Sequence, residues 1–122
     1  MEKEFFEIVD TDHAAHYEWG DKCDGWHFVK TDSLSVIKEK MPPGTKETLH
    51  YHNKAQQFFY ILNGIATFEI NGFVCNIEQN KGICIKPGMK HRISNNNNTD
   101  LDFIVVSEPK SHGDRVNIDE NK

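Results

Sequence analysis

The chain has 122 residues, 27% of them charged and 11% aromatic, which suits one soluble globular domain with a single core. Its net charge is −5, and the only arginines are Arg92 and Arg115. That balance argues against nucleic acid as the main partner, because phosphate binding needs clustered Lys and Arg.

The opening "MEKEFFEIVD" mixes acids with hydrophobics and has no signal-peptide core, and no run approaches the length of a transmembrane helix. Cys23, Cys75 and Cys84 are odd in number and lack a C-x-x-C pair. The expectation is therefore a reduced, cytoplasmic protein without disulfides and without membrane contact. Cys84, in "GICIK", reads as a small buried hydrophobe.

Residues 1–32 read as an N-terminal extension packing on the main domain. "DTDHAAHYEWG" predicts a short helical segment, capped by Thr11 or Asp12 and stopped by Gly20. "DGWHFVKTD" predicts a turn and a short strand. Residues 33–108 then read as one all-β domain. "SLSVIKEKM" stops at Pro42-Pro43-Gly44, "AQQFFYIL" at Asn63-Gly64, "IATFEI" at Asn71-Gly72 and "FVCNIE" at "QNKG". "ICI" stops at Lys86-Pro87-Gly88, "HRIS" at the asparagine run 95–98, and "LDFIVVS" at Pro109. Asn71-Gly72 between two alternating runs is a strong hairpin signal. Short strands at this spacing predict a sandwich or barrel. Residues 109–122 read as a polar tail that frays at its end.

Within "GTKETLHYHNKAQQFFYILNG", His50 and His52 share one face of a strand while Leu49 and Tyr51 take the other. Two buried imidazoles need something to accept their lone pairs, and a divalent metal does so. A hydrogen-bonded or exposed pair is the plainer reading of an isolated H-x-H.

The flanking residues resemble the cupin superfamily. Its first signature, G-x5-H-x-H-x3–4-E-x6-G, is matched by Gly44, His50, His52, Gln57 and Gly64. Its second, roughly G-x5-P-x-G-x2-H-x3-N, is matched in "KGICIKPGMKHRISN" by Pro87, Gly88, His91 and Asn95, with Lys81 and Lys86 where the family usually has Gly and Pro. The resemblance implies a jelly-roll β-barrel or sandwich with a metal inside its wider mouth. The implied ligands are His50, His52, Gln57 and His91, and the implied cofactor is a divalent transition metal: Zn, Ni, Fe or Mn. Gln57 departs from the usual Glu. Gln56 fits the shorter spacing, but Gln57 keeps the six-residue gap to Gly64 and the parity of Phe59 and Ile61. A neutral amide leaves the ion's charge undiminished, which favours an anionic further ligand. Some sugar-nucleotide cupins work without metal, so a metal-free pocket is the alternative.

Phe59, Ile61, Phe68, Ile85 and Phe103 read as core, and Tyr51 and Tyr60 lie opposite the ligand face. His27 reads as a surface histidine, with a place at the mouth as the alternative, Trp26 as a lid or packing, and Arg92 as facing outward or into a second sheet. Arg115 could fold back over the mouth to meet an anion. No strand offers an obvious carboxylate at the right parity for acid–base work, Glu69 being the nearest. Three functions remain: an enzyme acting on a small polar or anionic metabolite, such as a sugar or keto acid and resembling mannose-6-phosphate isomerase-like cupins; a three-histidine iron dioxygenase; and a non-catalytic small-ligand-binding or sensory cupin. Small cupins resemble one another in dimerising, and "EFFEIV" offers an apolar stretch for a homodimer.

Overall fold

The structure, a computed structural model, describes residues 5–119. Among them are eleven strands and no helix: β1 (Ala15–Trp19), β2 (Cys23–Lys30), β3 (Ser35–Met41), β4 (His50–His52), β5 (Gln56–Asn63), β6 (Ile65–Ile70), β7 (Phe73–Glu78), β8 (Gly82–Ile85), β9 (His91–Ser94), β10 (Leu101–Glu108) and β11 (Arg115–Asn117). They form two antiparallel sheets, ordered β1-β2-β3-β10-β5-β8 and β11-β4-β9-β6-β7. The fold is an all-β jelly roll.

Alternation builds the interior. β10 turns Leu101, Phe103, Val105 and Ser107 inward, and β5 opposes them with Gln57, Phe59 and Ile61. Phe68 and Ala66 of β6 and Ile93 of β9 close the core from the second sheet. Each large apolar side chain buried there stabilises the fold by about 1.5–3 kcal/mol. The five aromatic and aliphatic residues expected in the core, Phe59, Ile61, Phe68, Ile85 and Phe103, are all within it.

The turn signals work where the backbone requires them. Asn71 and Gly72 both take positive φ (48° and 90°), the pattern of a type I′ turn, and join β6 to β7 as a hairpin. Asn63-Gly64 instead carries the chain from one sheet to the other. A Cβ on Gly64 would come within 3.2 Å of the Asp100 carbonyl oxygen, so that corner is closely packed.

Two local expectations are corrected. No helix forms over residues 11–20: residues 11–14 are a turn, with the Ala14 N–H donating to the Asp10 carbonyl at 2.9 Å, and residues 15–19 are β1. The aromatic side chains of Tyr17 and Trp19 suit a pleated surface, and pairing with β2 outweighs the weak helical preference of Ala14-Ala15. Trp19 Nε1 donates to the Asp24 carbonyl at 3.2 Å, fastening the hairpin. Cys84 is exposed, not buried, because Ile83 and Ile85 on either side of it take the inward face of β8.

No helix among the described residues is long and apolar enough to cross a membrane. Glu4, the first residue of the apolar stretch "EFFEIV", lies outside the described residues, while Phe5, Phe6, Ile8 and Val9 are exposed ahead of β1.

Candidate metal centre

Buried polar side chains collect at one end of the sandwich, where the second sheet contributes His50, His52 and His91 and the first contributes Gln57 and Ser107. His50 faces His91 directly in the β4–β9 register. The Gly88 N–H donates to the His52 carbonyl at 2.7 Å, so the segment "KPGMKH" is bound to the H-x-H strand. On the other side β11 pairs with β4, setting Arg115 opposite His52 and Asn117 opposite His50. Asp114 Oδ2 accepts from the Lys54 and Ala55 N–H groups, both at 2.9 Å, and fixes the loop that leaves His52.

The three imidazoles are close. Ring centroids are 4.4 Å apart for His50–His91, 5.0 Å for His50–His52 and 5.8 Å for His52–His91. One nitrogen from each lies within 4.8 Å of the others, an arrangement that could hold a metal ion. Nδ1 of His50 bonds to the Thr48 carbonyl and Nδ1 of His91 to the Met89 carbonyl, each at 2.8 Å. A carbonyl only accepts, so both Nδ1 atoms carry the proton and both Nε2 atoms present lone pairs, the orientation metal-binding histidines commonly have. Both ring nitrogens of His52 are buried with no hydrogen-bond partner among the described residues. Burial, with His91 nearby, pushes the pKa of His50 down to about 3 and that of His52 to about 4; burial also lowers that of His91. All three are neutral near pH 7. The donor set fits a divalent transition metal.

Gln57 and Gln56 are now distinguished. Gln57 points inward, with Nε2 donating to Ser107 Oγ at 3.0 Å and Oε1 facing His91 Nε2 at 3.1 Å. Gln56 is exposed and donates to Glu108 Oε1.

The imidazoles His50 and His52 and the Gln57 amide open onto a cavity of about 480 Å³. Phe59, Ile37 and Val105 line its apolar part, and Tyr17 and Trp19 add aromatic surface. Two carboxylates also line it, which corrects the expectation that none stands at the right parity. Glu39 shares the inward face of β3 with Ile37, and Glu47 lies in the loop before β4. Strand alternation alone places Glu39: Ser35, Ile37, Glu39 and Met41 form one row. Burial and the neighbouring Glu47 charge raise the Glu39 pKa to about 8, against the pull of the Tyr17 hydroxyl and Arg115. Burial raises that of Glu47 to about 7, opposed by Arg115 and by the Ile93 N–H, which donates to it at 3.1 Å.

Arg115 does fold back to the cavity, where Nη1 is 3.8 Å from Glu47 Oε2 and Nη2 donates to the Thr48 carbonyl at 3.3 Å. The other side chains singled out lie away from it. Glu69 pairs with Arg92 at 3.2 Å, Trp26 packs under Lys38, and His27 stacks on the Tyr17 ring at 4.9 Å.

Two antiparallel sheets closed around a histidine-lined cavity define a jelly-roll domain of the double-stranded β-helix class. The chain belongs to the cupin family, whose cupin domain matches residues 37–107. It is 37% identical over 67 residues to an oxalate-binding protein of Thermotoga maritima, a stretch that is 55% of each chain. It is 29% identical over 70 residues to the tetracenomycin polyketide synthase protein TcmJ of Streptomyces glaucescens, covering 57% of this chain and 47% of that one. The chain thus spans about half the length of these curated relatives. A solved Thermotoga maritima structure, described as a predicted oxalate decarboxylase, matches with a TM-score of 0.78 at 23% identity, covering 85% of this chain and 100% of that one.

Proposed function

We propose that the protein is a metal-dependent cupin enzyme that binds a divalent transition metal through His50, His52, His91 and Gln57 and acts on a small anionic metabolite, such as a keto acid. One observation carries the metal reading: His52 buries two ring nitrogens without partners beside two imidazoles whose Nδ1 protons are already committed to carbonyls. In a site without a metal that burial is a cost.

When bound, the ion would supply Lewis acidity toward an oxygen of the ligand. The chain's own residues supply the rest. Arg115 offers a permanent cation to an anionic group entering past it. Glu39 and Glu47 titrate near neutrality, as groups that give or take protons in a reaction must. The apolar wall of Phe59, Ile37 and Val105 limits water around the ligand. A group able to transfer protons beside the triad supports an enzyme over a plain binding domain. The oxalate-binding relative supports the second reading, in which a small dianion is bound without turnover.

Protein purified without chelator, analysed for metal and then titrated with oxalate and pyruvate in holo and chelated forms, tests this reading. Anion binding that needs the metal supports it, and equal binding to both forms would sink it. We also infer a homodimer, supported by the exposed apolar side chains of Phe5, Phe6 and Ile8.

A further inference from the structure

We infer that Tyr17 is a positioning residue for Glu39, and that Gly25 is what lets it reach. The two side chains start two strands apart. Tyr17 is paired with Gly25 across β1 and β2, and Gly25 with Glu39 across β2 and β3, so the three form one row across the sheet. Strands are spaced about 4.8 Å apart, which puts the outer two roughly 9.6 Å from each other. Tyr17 spans that gap by lying flat over the middle strand, and its hydroxyl donates to Glu39 Oε2 at 3.0 Å. The space it occupies is the space of a missing side chain. A Cβ on Gly25 would stand 2.3 Å from Tyr17 Cζ and 2.6 Å from both Cε1 and the hydroxyl oxygen. Any other residue at position 25 expels the ring.

The consequence falls on the carboxyl group. Around Glu39 stand Tyr17 from β1, Glu47 from the loop before β4 and Arg115 from β11, with the β4 histidines lining the same cavity. Burial and Glu47 hold its proton on, while Tyr17 and Arg115 loosen it. A hydroxyl fixed on Oε2 favours the ionised form and sets the direction in which the carboxylate presents itself to a ligand. The inference rests on the reading of Glu39 as the cavity's acid–base group.

The test follows the Glu39 carboxyl carbon by NMR in metal-loaded, full-length protein carrying ¹³C-carboxyl glutamate, with Glu39→Gln to assign its signal. Tyr17→Phe keeps the ring and removes only the hydroxyl, and it should raise the Glu39 midpoint by about one pH unit. Gly25→Ala should raise it equally, and the double variant Gly25→Ala/Tyr17→Phe by no more than either alone. In a Tyr17→Ala background, Gly25→Ala should leave the melting temperature unchanged, because no ring remains to expel. An unmoved midpoint in Tyr17→Phe overturns the role of the hydroxyl, even where Gly25→Ala alone does not fold. Additive shifts, or a further loss of stability in the Tyr17→Ala background, overturn the role of the glycine. Metal content is read on the same samples: a wild type without metal sinks the functional reading but leaves the Tyr17–Glu39 coupling measurable.

Discussion

His91 Nε2 and Gln57 Oε1 meet at 3.1 Å from opposite sheets, and neither atom has a proton to share with the other. The His91 proton sits on Nδ1, committed to the Met89 carbonyl, and the Gln57 amide nitrogen is turned toward Ser107. Two lone pairs facing each other in a buried site repel, and a cation shared between them converts that repulsion into ligation. The same cation would take one of the two His52 ring nitrogens, neither of which has a hydrogen-bond partner among the described residues.

Gln57→Glu should tighten metal and loosen anions. The change adds one negative charge at nearly constant shape, so affinity for Zn²⁺ and Mn²⁺ should rise. A small dicarboxylate titrated into the holo form should bind more weakly than to wild type, because the site's net charge falls by one. Calorimetry on both proteins checks this, and two unchanged affinities would remove Gln57 from the ligand set.

Arg115→Gln should weaken anion binding by roughly 10- to 100-fold, the loss of one charge-assisted hydrogen bond. Metal content should stay the same, since Arg115 contacts Glu47 and the Thr48 carbonyl rather than the imidazoles. Oxalate titrations of the holo variant measure the first quantity and elemental analysis the second. An unchanged oxalate affinity would place the anion elsewhere.

Glu39→Gln should make stability depend less on pH. The folded pKa of Glu39 is raised to about 8 from 4.5, so the folded chain keeps a proton that the unfolded chain gives up. That contribution is complete below about pH 4.5 and is lost as pH rises through 8. Glutamine cannot ionise, yet it still accepts the Tyr17 hydroxyl. The variant should match wild type near pH 4.5 and exceed it above pH 8 by on the order of 5 kcal/mol. Denaturant unfolding of chelated protein across that range checks the sign, and a constant difference contradicts the raised pKa.

Light scattering should give twice the 14.1 kDa chain mass at micromolar concentration. A monomer mass there rejects the homodimer.

Much of this architecture is legible in the residues because the strands are short and their ends are marked. Asn71-Gly72 and Pro87-Gly88 state their turns outright, and the parity of Gln57, Phe59 and Ile61 correctly turns one face of β5 inward. The histidines were equally plain, since an H-x-H strand and the later His91 sit at recognisable spacings. What was hidden depends on pairing between distant segments. In "HAAHYEW" only Tyr17 and Trp19 lean locally toward a strand, and pairing with β2 makes it one. Glu47 has no periodic context in a loop, and it enters the cavity because β4 and β9 draw it against the Ile93 N–H. Glu39 was open to the alternation rule, but a carboxylate inside a strand of lysines reads as surface until the cavity beside it is seen. Tyr17 reaches the site only by crossing Gly25, which no linear pattern announces.

The most direct test of the central claim is the metal content of His52→Ala, measured beside its unfolding curve. Among the described residues the His52 side chain has no hydrogen-bond partner, so truncating it breaks no side-chain bond and relieves two buried, unsatisfied nitrogens. Wild-type protein should carry one equivalent of divalent transition metal. His52→Ala should lose most of that metal and, after chelation, be no less stable than chelated wild type. Equal metal content in the two proteins, or none in either after growth in metal-replete medium, would contradict the claim.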